Sequence, residues 1–230
     1  MKYSWLFFDA DGTLFNFDAA QDSAIEQTFS SLGIPFKNKY HRIYYDINKA
    51  IWAQFEKKEI EQNVIPVQRF NIFFEEINVQ ADANKASRLY LEFLSQSDQL
   101  IDGAESLIEK LSGEYKLLLI TNGLKSVQRP RFSKSSITKY FDEIVISEEV
   151  GSAKPHKKIF DLTFDKIGNP NKKEVLIIGD NLGSDILGGQ NYGIDTCWFN
   201  PENNVSQDGI IPTYEIKNLI NLVSILNARA

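Results

Sequence analysis

The sequence predicts an α/β fold: a doubly wound parallel sheet that carries a large α-helical insertion. Three observations predict it. Short continuous apolar runs recur along the chain, as in strands buried on both faces of a parallel sheet. Amphipathic helical patterns separate them. After the first apolar run, a stretch of about 80 residues contains helical spacing and no convincing strand, which is the size of a small bundle.

The first run is "WLFF", starting at Trp5, and it ends in "DADGT". From Phe17 to Gln96 the apolar residues keep helical spacing: Ile25, Phe29 and Leu32; Ile43, Ile47, Ile51 and Phe55; Phe70, Phe73, Phe74 and Ile77. Residues 17–96 are therefore expected to form a helical domain inserted into a core made of 1–16 and 97–230. Gly103 reopens the α/β alternation, with Leu107, Ile108 and Leu111 on one helical face. "LLLIT" ends at Thr121, "EIVIS" covers Glu143–Ser147, "VLIIGD" ends at Asp180 and "TCWF" covers Thr196–Phe199. Between them, Ile159, Phe160, Thr163 and Ile167 read as one helix face. Ile216, Leu219, Ile220, Val223 and Leu226 read as another, in a C-terminal helix.

Composition narrows the partners. The chain has 230 residues, 43% of them hydrophobic, enough for a sizeable core. Its net charge is −6, and the basic residues are scattered in pairs such as Lys57-Lys58 and Lys172-Lys173. No basic stripe marks a nucleic-acid polymer as partner. The single cysteine, Cys197, excludes an internal disulfide. With only His41 and His156 beside it, a zinc cluster is excluded too. Cys197 reads as a small buried filler. The apolar start is interrupted by Asp9, too early for a signal peptide or a membrane span. A soluble cytoplasmic protein is expected.

In an open α/β sheet, ligands bind at the carboxyl ends of the strands. There the chain places Asp9 and Asp11, then Thr121 and Asn122 of "TNG", Lys154 of "AKP", and Asp180 and Asp185 of "GDNLGSD". Each alone has an ordinary structural explanation. "DG" is a common turn, a threonine caps helices, a lone lysine is usually solvated, and Asp185 suits a helix start. Together, in this order and at strand ends, they describe one crevice. Clustered carboxylates repel unless a cation sits among them. An all-oxygen set favours Mg²⁺, which keeps open positions for a phosphate oxygen. Thr121, Lys154 and turn amides can hold the other oxygens. Residues i and i+2 of an extended chain point the same way, so Asp9 can face phosphorus as nucleophile while Asp11 reaches the leaving oxygen as acid and base.

In "DADGT", "TNG", "AKP" and "GDNLGSD" the chain resembles the haloacid dehalogenase-like (HAD) superfamily. That resemblance implies a Rossmann-like core with a helical cap at the first insertion point. It implies Mg²⁺ held by the Asp9 side chain, the Asp11 backbone carbonyl and the Asp180 side chain, with Asp185 acting through metal-bound water. It also implies a phosphate site at Thr121, Asn122 and Lys154. "SEEVGSAKPHKKIFD" and "DILGGQNYGIDTCWFN" further resemble the pyrimidine 5′-nucleotidases of this superfamily, implying a nucleoside monophosphate as substrate. A phosphatase or phosphomutase acting on sugar phosphates shares all four motifs. A phospho-acceptor receiver domain shares the acids, threonine and lysine but lacks a large helical insert. In carbon–halogen cleavage Asp11 has no clear task. Pro130, in "SVQRPRF", is expected to kink the helix after "TNG" or shift its start. Tyr44, Tyr45, Trp52 and Phe55 could stack on a base, though aromatics at helical spacing are more often core.

Overall fold

The computed structural model describes residues 3–206 and 209–228. Its centre is a six-stranded parallel sheet in the order β3-β2-β1-β4-β5-β6. The strands are β1 (Trp5–Phe8), β2 (Lys116–Thr121), β3 (Glu143–Ile146), β4 (Val175–Gly179), β5 (Asp195–Phe199) and β6 (Tyr214–Ile216). The register aligns Phe8 with Leu119 on one side and with Ile178 on the other. Strand order reverses at β1: β2 and β3 extend one way, and β4 crosses to the other. A crevice at the carboxyl ends beside β1 follows from that reversal.

Alternation along the strands divides two cores. Leu6, Phe8, Leu117, Leu119, Leu176 and Ile178 pack on one face with α5 (Ala104–Leu111) and Leu222 and Leu226 of α10 (Asn221–Asn227). Phe7, Leu118, Ile120 and Ile177 pack on the other with α8 (Lys157–Lys166) and Tyr192 of α9 (Leu187–Tyr192). Cys197 is fully buried in the first core, and burial pushes its thiol up to about 12.

The chain divides into two compact units. One comprises Met1–Phe17, Gln99–Lys125 and Phe132–Ala230, the other Asp18–Asp98 and Ser126–Arg131. The second is helical: most of α1 (Phe17–Leu32), then α2 (Lys39–Glu56), α3 (Ile65–Glu76) and α4 (Ala83–Leu94). An aromatic cluster fills it, with Phe73 against Phe29, Tyr40, Tyr44 and Phe74 at centroid distances of 5.7, 6.0, 5.2 and 6.1 Å. Among the described residues, no helix is long and apolar enough to cross a membrane.

Three expectations are corrected, and a fourth, a kink or shifted start at Pro130, meets a helix that continues through the proline. Ile216 belongs to β6, opposite Phe199, and not to the tail helix, whose buried face is Leu222 and Leu226 while Ile220 is exposed. A three-residue edge strand gives too little periodicity to read. In α2 the buried stripe is Tyr40, Tyr44, Asn48 and Ile51, rather than the one through Ile43, Ile47 and Phe55. That stripe was hidden because one member is polar. The helix after "TNG", α6 (Lys125–Lys134), starts two residues past Gly123 and runs on through Pro130. Packing holds it there: Arg131 Nε donates to the Ser97 carbonyl at 2.8 Å, and Phe132 packs on Phe15. Finally, β1 ends at Phe8, and the Leu14 and Phe15 N–H groups both fold back onto the Ala10 carbonyl. A turn, rather than strand alternation, positions Asp11.

Candidate active site

Asp9 is the first residue beyond β1, and its N–H donates to the Ile178 carbonyl of β4 at 2.9 Å. That bond sets its carboxyl over the switch in strand order. Lys154 reaches the same point from the loop between α7 (Ser147–Val150) and α8. Its ammonium contacts Asp9 Oδ1 at 2.5 Å and Asp185 Oδ1 at 2.6 Å, and donates to the Ile120 carbonyl at 2.7 Å. Asp9 Oδ1 and the Ile120 carbonyl accept hydrogen bonds from the ammonium, and Asp185 adds an ion pair. The lysine is 1% exposed, so none of its charge is spent on solvent.

The loop carrying Lys154 is docked by Asn122. Asn122 Nδ2 donates to the Lys154 carbonyl, and the Lys154 N–H donates to Asn122 Oδ1, both at 2.8 Å. Asn122 therefore acts on the lysine's backbone. Thr121 Oγ1 accepts from the Gly123 N–H at 3.1 Å and closes the "TNG" turn.

Carboxylate oxygens of Asp9, Asp180 and Asp185 lie within 4.8 Å of one another. Thr13 Oγ1 donates to Asp180 Oδ1 at 3.0 Å, and the Trp198 indole N–H donates to the Asp180 carbonyl at 2.9 Å. Asp185 Oδ2 accepts from the Asn181 N–H at 3.1 Å. Asn181 in turn caps the π-helical turn Leu182–Ile186 by accepting from Gly183 and Ser184. Two glycines make room for the acids. A Cβ on Gly12, whose φ is +81°, would lie 2.5 Å from Asp180 Oδ2, and one on Gly179 would lie 2.2 Å from Asp185 Oδ2.

Three carboxylates around one ammonium leave excess negative charge in a buried place. Burial, with Asp185 and Asp180 adding, raises the Asp9 pKa well above the usual range even though Lys154 opposes it. Burial and then Asp185 raise Asp180 to about 7, with the Thr13 bond opposing. Burial works against the charge of Lys154, but Asp185 and Asp9 outweigh it and its pKa rises. An all-oxygen donor set with this surplus fits a hard divalent cation.

The structure thus brings together Asp9, Lys154, Asp180 and Asp185, with Asn122 behind the lysine. The Asp11 carboxylate is not in the three-acid group. Sequence reading missed Thr13, Trp198 and Asn181 as supports. Thr13 stands inside "DADGT", and Asn181 directly follows Asp180, where a cap could be suspected. Trp198 lies in an apolar run that looks like plain core.

A model described as haloacid dehalogenase-like hydrolase matches residues 6–199. The chain belongs to the haloacid dehalogenase-like hydrolase family. Within that family it is 36% identical over 226 residues to the pyrimidine 5′-nucleotidase YjjG of Escherichia coli (strain K12), covering 98% of this chain and 99% of the other. It is 34% identical over 228 residues to the pyrimidine 5′-nucleotidase PynA of Streptococcus pneumoniae, covering 99% and 96%. A crystal structure of the HAD-hydrolase YfnB from Bacillus subtilis, bound to magnesium, superposes with a TM-score of 0.94. Its sequence identity is 37%, with 99% and 100% of the chains covered.

Proposed function

We propose that this hydrolase is a Mg²⁺-dependent 5′-nucleotidase that releases phosphate from pyrimidine nucleoside monophosphates. The observation that carries the reaction is the buried Asp9 carboxyl, flanked by Asp180 and Asp185 and held by the Lys154 ammonium. The observation that carries the substrate is end-to-end similarity to two relatives named for that activity.

The Asp9 and Asp180 carboxylates and the Asp11 backbone carbonyl would hold Mg²⁺, with Asp185 beside them. Bound there, the ion would offset phosphate charge near an anionic nucleophile. An Asp9 oxygen attacks phosphorus while the bond from phosphorus to the ester oxygen breaks, and Asp11 delivers a proton to the leaving oxygen. Water then attacks the aspartyl-phosphate, Asp11 takes a proton from it, and the Asp9 carboxylate is restored with inorganic phosphate. Lys154 lies against Asp9 and favours its ionised form. Thr121 and Asn122 line the phosphate side in this reading.

Phosphate release tests the proposal. Uridine, cytidine and thymidine 5′-monophosphates are compared with adenosine and guanosine 5′-monophosphates and several sugar phosphates, with Mg²⁺ and with chelator. Higher kcat/KM for the pyrimidine nucleotides, lost on chelation, is expected. A sugar phosphate turned over best, with pyrimidine nucleotides inert, would overturn the substrate but leave a phosphohydrolase.

A further inference from the structure

Asp180 is restrained from three sides, all within the unit that carries the sheet. Trp198 stands opposite Gly179 in the β4–β5 register, beside the residue that precedes Asp180. Its neighbours Cys197 and Phe199 belong to the first core, so strand alternation sends the Trp198 ring to the other face. There the indole N–H donates to the Asp180 carbonyl at 2.9 Å. From the turn after β1, Thr13 Oγ1 donates to Asp180 Oδ1 at 3.0 Å. The same turn walls the carboxyl in, because a Cβ on Gly12 would meet its carbon at 2.8 Å. Trp198 and Thr13 are both buried, so neither donor has bulk water as a ready alternative.

Each contact removes a different freedom. The indole fixes the main chain from which the side chain springs. The threonine fixes the rotation of the carboxyl and occupies Oδ1. The Gly12 turn closes the space into which the group could swing. Oδ2 is then the oxygen left for a cation, offered at one place. Divalent ions respond differently to such a ligand. Mg²⁺ requires near-ideal octahedral geometry and takes single oxygens from one or two carboxylates. Ca²⁺ is larger, takes six to eight oxygens and accepts both oxygens of one carboxylate, which a clamped carboxyl does not offer.

We propose that Trp198 and Thr13 are positioning residues that clamp Asp180 as a one-oxygen ligand and thereby set the preference of the site for Mg²⁺ over Ca²⁺, an inference that rests on the Mg²⁺-dependent function proposed for the site. Neither residue needs to touch the ion. Both act through the ligand, in the way that partners of a coordinating group hold its orientation.

The test titrates the metal-free full chain with Mg²⁺ and, separately, with Ca²⁺, and reads each Kd by isothermal titration calorimetry. The quantity compared is the ratio of the two Kd values on one protein sample, so a loss of folded protein does not move it. The wild type is expected to bind Mg²⁺ more tightly than Ca²⁺. Trp198→Phe keeps an aromatic ring and removes the N–H. It should weaken Mg²⁺ binding by roughly 3- to 10-fold, the size of one hydrogen bond, and weaken Ca²⁺ binding less, so the preference falls. Thr13→Val keeps the shape and removes the hydroxyl, with the same expected result. Thr13→Ser keeps the hydroxyl and should retain the wild-type preference. If Trp198→Phe does not fold, the two Thr13 variants decide. A wild type that binds both ions equally, or a preference that survives Trp198→Phe or Thr13→Val, would overturn the clamp and leave the Mg²⁺ site standing. A wild type that binds no Mg²⁺ would overturn the Mg²⁺-dependent function, and the clamp with it.

Discussion

Asp9 is buried by the same packing that makes it useful. Removal from water works against its charge, Lys154 favours it, and the neighbouring acids oppose it again. The balance makes the nucleophile dependent on its cationic partners. Asp9→Asn keeps the shape and removes the attacking oxygen charge. It is expected to lower phosphate release by at least about 10³-fold, in line with the loss of a covalent nucleophile. Phosphate release, with acid-quench trapping of the phosphoenzyme, checks it. Near-normal turnover would rule out the covalent route. Thr13 and Trp198 illustrate a different kind of residue. Their partner is Asp180 itself, so their effect is on where that carboxylate sits.

At the scale of elements, the turns after β1 and β4 matter more than the strands. Gly179 closes β4 against the side chain of Asp185, and a Cβ there would meet Asp185 Cβ at 2.5 Å as well as its carboxylate. Asp185 is held through Lys154 and Asn181 and has little room to retreat. Gly179→Ala is expected to cost about 1–3 kcal/mol of stability and to reduce activity. Gly113→Ala, with open space around it, should stay within about 0.5 kcal/mol. Denaturant unfolding of the pair decides the point, and equal stabilities would refute it. In the second unit, Asp82 caps α4 by accepting from the Asn84 and Lys85 N–H groups at 2.9 and 3.1 Å. Asp82→Ala should cost about 1 kcal/mol without touching the chemistry. A change in kcat larger than the change in stability would show that α4 does more than support the bundle.

For the whole molecule, the acid cluster links stability, pH and metal. The pKa of Asp180 is raised to about 7 in the folded chain, against an ordinary value of 3.8. Such a group contributes stability that is fully present below the unfolded value and is lost as pH rises through the folded one. The metal-free protein is therefore expected to lose stability between about pH 4 and 7 through this group, and Asp9 acts in the same direction. Mg²⁺ competes with these protons, so its stabilising effect should grow from pH 5.5 to pH 8. Thermal unfolding with Mg²⁺ and with chelator at both pH values measures this. A Tm increment independent of pH would place the ion away from these acids.

The amino-acid order alone determined that the chain is α/β, that a helical stretch follows the first strand, that Asp9 and Asp180 directly follow strands, and that Lys154 and Asp185 lie in the segments after strands. Those features are local or periodic: apolar runs, turn residues and short motifs carry their own signals. Tertiary structure alone decided the rest. It joined Lys154 to Asp9 across 145 positions and Trp198 to Asp180 across 18. It chose the stripe through Tyr44 and Asn48 as the buried face of α2. It carried α6 through Pro130 and paired a three-residue β6 with β5. It also buried Arg69 with its Nη1 bonded to Asn48, 21 positions away. In each case the deciding contact is long-range. Its energy comes from burial and from pairing between segments distant in sequence, which no local window contains.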